Sequence, residues 1–137
     1  MTPDDLARLH AAAFTTPRPW TAPEFAALLD SPHTFLIARN DAFALGRVIA
    51  DEAELLTIAT DPAHRRKGLG YECLMAFDAA ARDRGATTAF LEVATNNQAA
   101  IALYTRAGWQ PTGLRRGYYA APDGSRIDAQ NMGKTIG

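Results

Sequence analysis

The feature that most restricts the fold is a run in the middle of the chain. A β-prone segment, Ala53 to Thr60, is closed by Asp61-Pro62 and followed by Arg65-Arg66-Lys67-Gly68-Leu69-Gly70. Leu69, Cys73, Phe77 and Ala80 or Ala81 then recur at helical spacing, and Gly85 fits the position just past the helix end. A strand that feeds a helix through a basic, glycine-rich loop belongs to chains that set helices against a sheet. The start of such a helix offers unpaired N–H groups and the positive end of the dipole, and glycines let a ligand come close to the backbone. This favours an anion such as phosphate. The same residues also suit a solvated basic turn before a helix, and on their own they leave both readings open.

The flanking patterns fill in the class. Thr2-Pro3-Asp4-Asp5 reads as an N-cap with a proline and two acids in the first turn, followed by Leu6, Leu9, Ala13 and Phe14. Thr21-Ala22-Pro23-Glu24 is a capping box ahead of Phe25, Leu28 and Leu29, with Pro32 beyond. Thr34 to Arg39, Phe43 to Ala50 and Ala53 to Thr60 read as three strands in a meander. After the middle helix come a strand at Thr87 to Val93 and a helical stripe of Ala100, Ile101, Tyr104 and Ala107 that stops at Gly108. Strands at Trp109 to Tyr119 and Ile127 to Ile136 follow, joined by the turn Pro122-Asp123-Gly124. The expectation is one α/β (α+β) domain over residues 1–137 with a mixed sheet.

Composition removes several functions. With 14 Lys plus Arg against 15 Asp plus Glu the net charge is −1, not the basic excess of a general nucleic-acid binder. Cys73 is the only cysteine, so no internal disulfide and no multi-cysteine zinc site can form. His10, His33 and His64 show no metal-ligand spacing, and no metal is expected. No apolar run approaches the ~20 residues that span a bilayer. Met1-Thr2-Pro3-Asp4-Asp5 lacks the basic and apolar regions of a secretory signal, so a cytoplasmic location is expected.

Two phosphate motifs fit poorly. A G-x-x-x-x-G-K-[ST] loop is not present. Gly68-x-Gly70-x-x-Cys73 approaches a dinucleotide fingerprint, and Glu92 lies near where its ribose-binding acid would be. Its third small position is cysteine, though, and the loop from Asp61 to Lys67 is too long for a tight strand-to-helix turn.

Arg65-x-x-Gly68-x-Gly70 resembles the acyl-CoA pyrophosphate motif of the GNAT N-acetyltransferases. The likeness extends through Asp61-Pro62, Leu91-Glu92-Val93 and Asn97-x-x-Ala100-x-x-Leu103-Tyr104-x-x-x-Gly108-Trp109. Pro19-Trp20-Thr21 with Phe25, and Arg115-Arg116-x-Tyr118-Tyr119, add to it. This ordered set is similar to the RimI-type ribosomal-protein alanine N-acetyltransferases, from about residue 4 to 134.

The resemblance implies a mostly antiparallel sheet flanked by helices, whose central strands splay to admit acetyl-CoA as cosubstrate. Arg65, Arg66, Lys67, Gly68, Leu69, Gly70 and Tyr71 would wrap the pyrophosphate. Ile58, Ala59 and Thr60 would lend backbone groups to the pantetheine amides, and Asn97 would touch the cofactor. Glu92 would be the general base and Tyr104 the general acid in direct transfer to a protein N-terminal amine, such as the alanine of a ribosomal protein. A small amine or lysine as acceptor, and a CoA-binding domain without catalysis, are the alternatives. Neither nucleic acid nor membrane is expected as a partner.

Other readings of the same residues are plainer. Glu92 in a β-prone run suits an arginine partner, Tyr104 in an apolar stripe suits a core, and Cys73 suits a small buried hydrophobe. His64 beside the loop reads as a surface histidine. The chain also departs from the family pattern. It begins almost at the first helix, so the usual first strand is expected to be missing. Tyr71 and Cys73 replace an arginine and a small or apolar residue, and Gln130-Asn131 stand where the final strand is expected to be apolar.

Overall fold

A computed structural model describes residues 1–14, 18–64 and 68–137. In chain order the elements are α1 (Pro3–Ala13), α2 (Ala22–Leu29), β1 (Thr34–Ala38), β2 (Ala42–Ile49), β3 (Glu52–Thr60), a 3-10 turn (Pro62–His64), α3 (Leu69–Asp83), β4 (Thr88–Ala94), α4 (Gln98–Arg106), β5 (Gln110–Ala120) and β6 (Arg126–Thr135).

Local chemistry sets the helix ends. Thr2 and Asp5 form a capping box at α1, and Thr21 and Glu24 form one at α2. Arg18 secures the second box by pairing with Glu24 at 2.8 Å. Gly85 and Gly108 have positive φ just past α3 and α4, where a left-handed residue ends the helix.

The six strands form one sheet in the order β1-β2-β3-β4-β6-β5. Every neighbouring pair is antiparallel except β3 and β4, which are parallel and pair only through Glu52–Glu54 and Thr88–Phe90. No strand precedes α1 among the described residues, and β1 is an edge. None of the described helices is long and apolar enough to cross a membrane.

Each face of the sheet has its own core. One cluster joins Cys73, Leu74, Phe77 and Ala81 of α3 to Tyr104, Trp109 and the inward residues of all strands but β5. Burying a side chain such as Phe77 or Leu74 contributes about 1.5–3 kcal/mol. A smaller cluster on the other face joins Leu6 of α1 and Phe25 of α2 to Phe43, Leu45 and Ala59.

Strand β3 changes phase between the two. Its pairing with β2 slips at Leu45/Gly46, so Leu56 has no partner. Ala53 and Leu55 face the α3 side before the bulge, and Ile58 faces it after. Leu56, Thr57 and Ala59 turn toward the α1 side. A strict alternation would have sent Thr57 into the apolar α3 core; the extra residue sends it to His10 instead.

Candidate active site

Beyond Glu54 and Phe90 the parallel strands part, and the β3 edge facing β4 is left unpaired from Leu55 to Thr60. A cleft of about 290 Å³ opens there. Ile58, Glu92, Asn97, Tyr104 and Tyr119 are among the residues lining it. The splay thus brings Glu92 and Tyr104 to one cavity, although they belong to different elements.

Glu92 projects from β4. Its Oε1 lies 3.4 Å from the guanidinium of Arg115 on β5, and the side chain is 21% exposed. Its Oε2 is buried and has no hydrogen-bond partner among the described residues. The side chain lines the cleft, and a carboxylate there is suited to accept a proton or hydrogen bond from something entering it.

Tyr104 sits in the last turn of α4, buried at 6% exposure and against Trp109. Burial, and then the neighbouring Tyr119, push its phenol well above the usual range. Its hydroxyl therefore keeps its proton and is available as a donor. Tyr119 is raised to about 12 by burial, by the charge of Glu92 and by Tyr118, against the opposing pull of Arg115.

Asn97 caps α4, its Oδ1 accepting from the N–H of Ala100 at 3.2 Å. It holds the helix that carries Tyr104 as well as lining the cleft.

Past the C-terminal end of β3, α3 begins on Gly68, whose φ of +78° puts it in the left-handed region and which offers no side-chain cap. A Cβ on Gly70 would stand 2.9 Å from Leu103 Cδ2, so this glycine allows α3 to approach α4. Thr60 Oγ1 lies 3.7 Å from the same point. Ile58 belongs to the α3-side core, Ala59 to the α1-side core, and Leu69 packs at the edge of the former. Tyr71 is exposed, with the guanidinium of Arg106 5.5 Å from its ring centre. Arg65, Arg66 and Lys67 lie outside the described residues.

Two features of this region had no clear signal in the sequence. The first is His10, buried on α1 among Phe14, Trp20 and Phe25 and lining the same cleft. The backbone N–H of Trp20 donates to its Nδ1 at 3.0 Å, so in the neutral ring the proton sits on Nε2, which donates to Thr57 Oγ1 at 3.0 Å. Burial lowers its pKa to about 4, partly countered by Glu24. Its place four residues after Leu6 and four before Phe14 on the apolar stripe was the available clue.

The second is a cluster of Asp41, Asp61 and His64, each with a ligand-type atom within 4.8 Å of the others. His64 stays partly exposed, as a surface histidine would, and its Nε2 lies 3.7 Å from Asp41 Oδ1. The three come from a turn, a strand end and a 3-10 turn, and no spacing along the chain could have announced them.

The final strand explains its own polar pair. Gln130 Nε2 donates to the carbonyl of Gly113 at 2.7 Å, beside a stretch where β5 slips against β6. Asn131 stands directly opposite Glu92.

Comparison with known proteins gives this arrangement a family. Residues 4–109 match the acetyltransferase (GNAT) family. The chain is 39% identical over 122 residues to the [ribosomal protein bS18]-alanine N-acetyltransferase of Escherichia coli K12, covering 86% of this chain and 82% of that protein. It is 35% identical over 140 residues to the N-alpha-acetyltransferase RimI of Mycobacterium tuberculosis, covering 96% and 85%. The crystal structure of the E. coli ribosomal-protein-S18-alanine N-acetyltransferase superposes with a TM-score of 0.84 at 35% identity, over 95% of this chain and 84% of that one. A match over most of the chain in both sequence and fold means that this protein belongs to the GNAT family of acetyltransferases, among its RimI-like members.

Proposed function

We propose that residues 1–137 form one cytoplasmic catalytic domain that moves the acetyl group of acetyl-CoA to the free α-amine of a protein N-terminus. The acceptor we favour is an N-terminal alanine of a ribosomal protein, as named for the E. coli relative. The observation that carries this reading is the splay of β3 and β4 with Glu92 and Tyr104 on one cavity.

The residues fit the cosubstrate at three places. The unpaired β3 edge at Ile58, Ala59 and Thr60 has the hydrogen-bonding character to take the pantetheine amides as an added strand. The start of α3 at Gly68, Leu69, Gly70 and Tyr71 presents helix N–H groups without a side-chain cap, suited to the pyrophosphate. Arg65, Arg66 and Lys67 would add charge beside it. Asn97 keeps α4 in register with the cleft.

The cosubstrate supplies an activated thioester. An ammonium cannot attack it, and the Glu92 carboxylate is the group in the cleft suited to take the proton. Freeing an α-amine of pKa about 7.8 at pH 7 costs roughly 1 kcal/mol, against roughly 4.6 kcal/mol for a lysine near 10.4. A carboxylate is sufficient for the first. Tyr104 on the same cleft would be the general acid: burial keeps its hydroxyl protonated, and that hydroxyl would donate to the departing sulfur. No protein nucleophile is needed, in keeping with a buried Cys73 whose thiol burial pushes up to about 11.

The test is release of free thiol from acetyl-CoA with matched peptides: one with a free N-terminal alanine, one N-blocked with an internal lysine, and none. Release with the alanine peptide alone is expected. Release with the lysine peptide alone overturns the acceptor and keeps the cosubstrate. Binding of acetyl-CoA without transfer to either peptide or to small amines overturns catalysis.

A further inference from the structure

Glu92 and Tyr104 reach the cleft from opposite faces of the sheet. Leu91 and Val93, on either side of Glu92 in β4, belong to the α3-side core, so the alternation of the strand turns Glu92 to the α1 side. Tyr104 belongs to the α3-side core itself. Phe14 and Trp20 also line the cleft, and they pack on the α1-side core. They therefore stand on the face from which Glu92 is approached.

Trp20 belongs to no helix or strand. It stands just before Thr21, the N-cap of α2, so no ladder of backbone bonds fixes it. His10 of α1 does. The backbone N–H of Trp20 donates to His10 Nδ1 at 3.0 Å. The two rings are stacked, with centroids 5.2 Å apart and planes at 26°. Phe14 stacks on the same imidazole at 4.4 Å. The other ring nitrogen donates to Thr57 Oγ1 of β3 at 3.0 Å. An apolar side chain would fill this buried place without desolvating two nitrogens. What the imidazole adds is direction: two opposed hydrogen bonds and a flat face hold Trp20 in one place relative to β3.

We propose that His10 is a positioning residue for the acceptor peptide. It sets the main chain and ring of Trp20, and thereby the wall of the cleft beside which the peptide's first residues lie. The inference rests on the reading of this cleft as the site of acetyl transfer. His10 takes no proton in the reaction, because Nδ1 is occupied by the N–H of Trp20 and Nε2 carries the proton shared with Thr57.

Three variants separate this role from packing. An asparagine oxygen falls near where Nδ1 stands, a glutamine amide near where Nε2 stands, and phenylalanine keeps the flat ring alone. With the free-alanine peptide, His10→Gln and His10→Phe give up the bond to Trp20. Both are expected to raise KM for the peptide about 2- to 10-fold, the worth of one hydrogen bond, with kcat and acetyl-CoA affinity by calorimetry near those of the wild type. His10→Asn keeps that bond and should have the KM nearest the wild type. It also removes the most volume from a buried site, so its Tm should fall furthest. A role in packing alone would order the KM values the other way.

Wild-type KM in both His10→Gln and His10→Phe overturns the inference and leaves the proposed function standing, and this comparison holds even where His10→Asn does not fold. A KM in folded His10→Asn as high as in the other two also overturns it, as does a loss confined to kcat. Absence of transfer by the wild-type protein to any N-terminal amine overturns the proposed function, and the inference with it.

Discussion

Asp78 and Glu92 each lean on a cation from a neighbouring element, one on either face of the sheet, and each keeps one oxygen without a partner among the described residues. Asp78 on α3 meets Lys134 of β6 at 2.5 Å, with both side chains 9% exposed. Lys134 is further held by the carbonyl of Ala107 and lies over the ring of Trp109. Glu92 meets Arg115 at 3.4 Å, with the arginine 55% exposed. The first pair is enclosed, short and braced by a second acceptor. The second is loose, one-sided and open to a cleft. Similar chemistry thus ties helix to strand in one place and leaves a carboxylate free to react in the other. What separates them is how tightly the cation is held.

Substitutions can break this contrast, beginning with the largest effect. Glu92→Gln is expected to slow acetyl transfer by about 10²- to 10⁴-fold, the range for a lost general base. Its acetyl-CoA affinity and urea midpoint should stay near those of the wild type. A similar rate in the variant would remove Glu92 from the reaction. Asp78→Ala should do the reverse. Leaving Lys134 buried without its partner costs about 3–5 kcal/mol of stability in urea unfolding, while activity per folded molecule is kept. Asp78→Leu with Lys134→Met should recover most of that loss, because an apolar pair of similar volume needs no desolvation of charge.

His10 sharpens the comparison through pH. Its pKa is held at about 4 in the folded chain against an ordinary value of 6.5, so below 6.5 the unfolded chain takes up a proton that the folded chain does not. This contribution to stability is fully present above pH 6.5 and falls away down to about 4, a loss of about 3 kcal/mol. Urea unfolding across that window should show the slope in the wild type and a flatter one in His10→Gln. The carboxylates of Asp5 and Glu24 are lowered to about 2, so their pairing is lost mainly at more acid pH. The smallest effect is expected from Arg115→Met: a half-exposed pair contributes about 1 kcal/mol or less, and Tm should shift by no more than a few degrees.

Much of this was legible beforehand, because local rules govern it. The N-cap at Thr2, the capping box of Thr21 and Glu24, the glycines ending α3 and α4, and the order of strands and helices follow from residues a few positions apart; that Asp5 closes a second box with Thr2 came only with the structure. The splay and its lining by Glu92, Tyr104 and Asn97 agree in position with what the family resemblance implied, and the family itself was identifiable from ordered motifs. Features that depend on three-dimensional meeting were not legible. The bulge at Leu56 redirects Thr57, and no alternation in Glu52–Thr60 announces it. His10 reads as a polar interruption of a stripe until Trp20 and Thr57 close on its two nitrogens. Asn131 reads as an anomaly in a strand until β4 puts Glu92 across from it.

The seam between β3 and β4 has a mechanical consequence. Among the described residues, the two halves of the sheet are joined in backbone pairing by three ladder pairs, Glu52–Glu54 against Thr88–Phe90, and by the carbonyl of Asp51, which accepts from the N–H groups of Thr87 and Thr88. The β1-β2-β3 leaf and the β4-β6-β5 leaf can therefore breathe about that seam at little cost in hydrogen bonds. Any guest that bonds along the open edge of β3 closes the gap like a zipper and stiffens both leaves together. In amide exchange, occupancy of the cleft would then register as slowed exchange in Leu55–Thr60 and also, through the shared rigidity, along Leu91–Ala94 on the far bank.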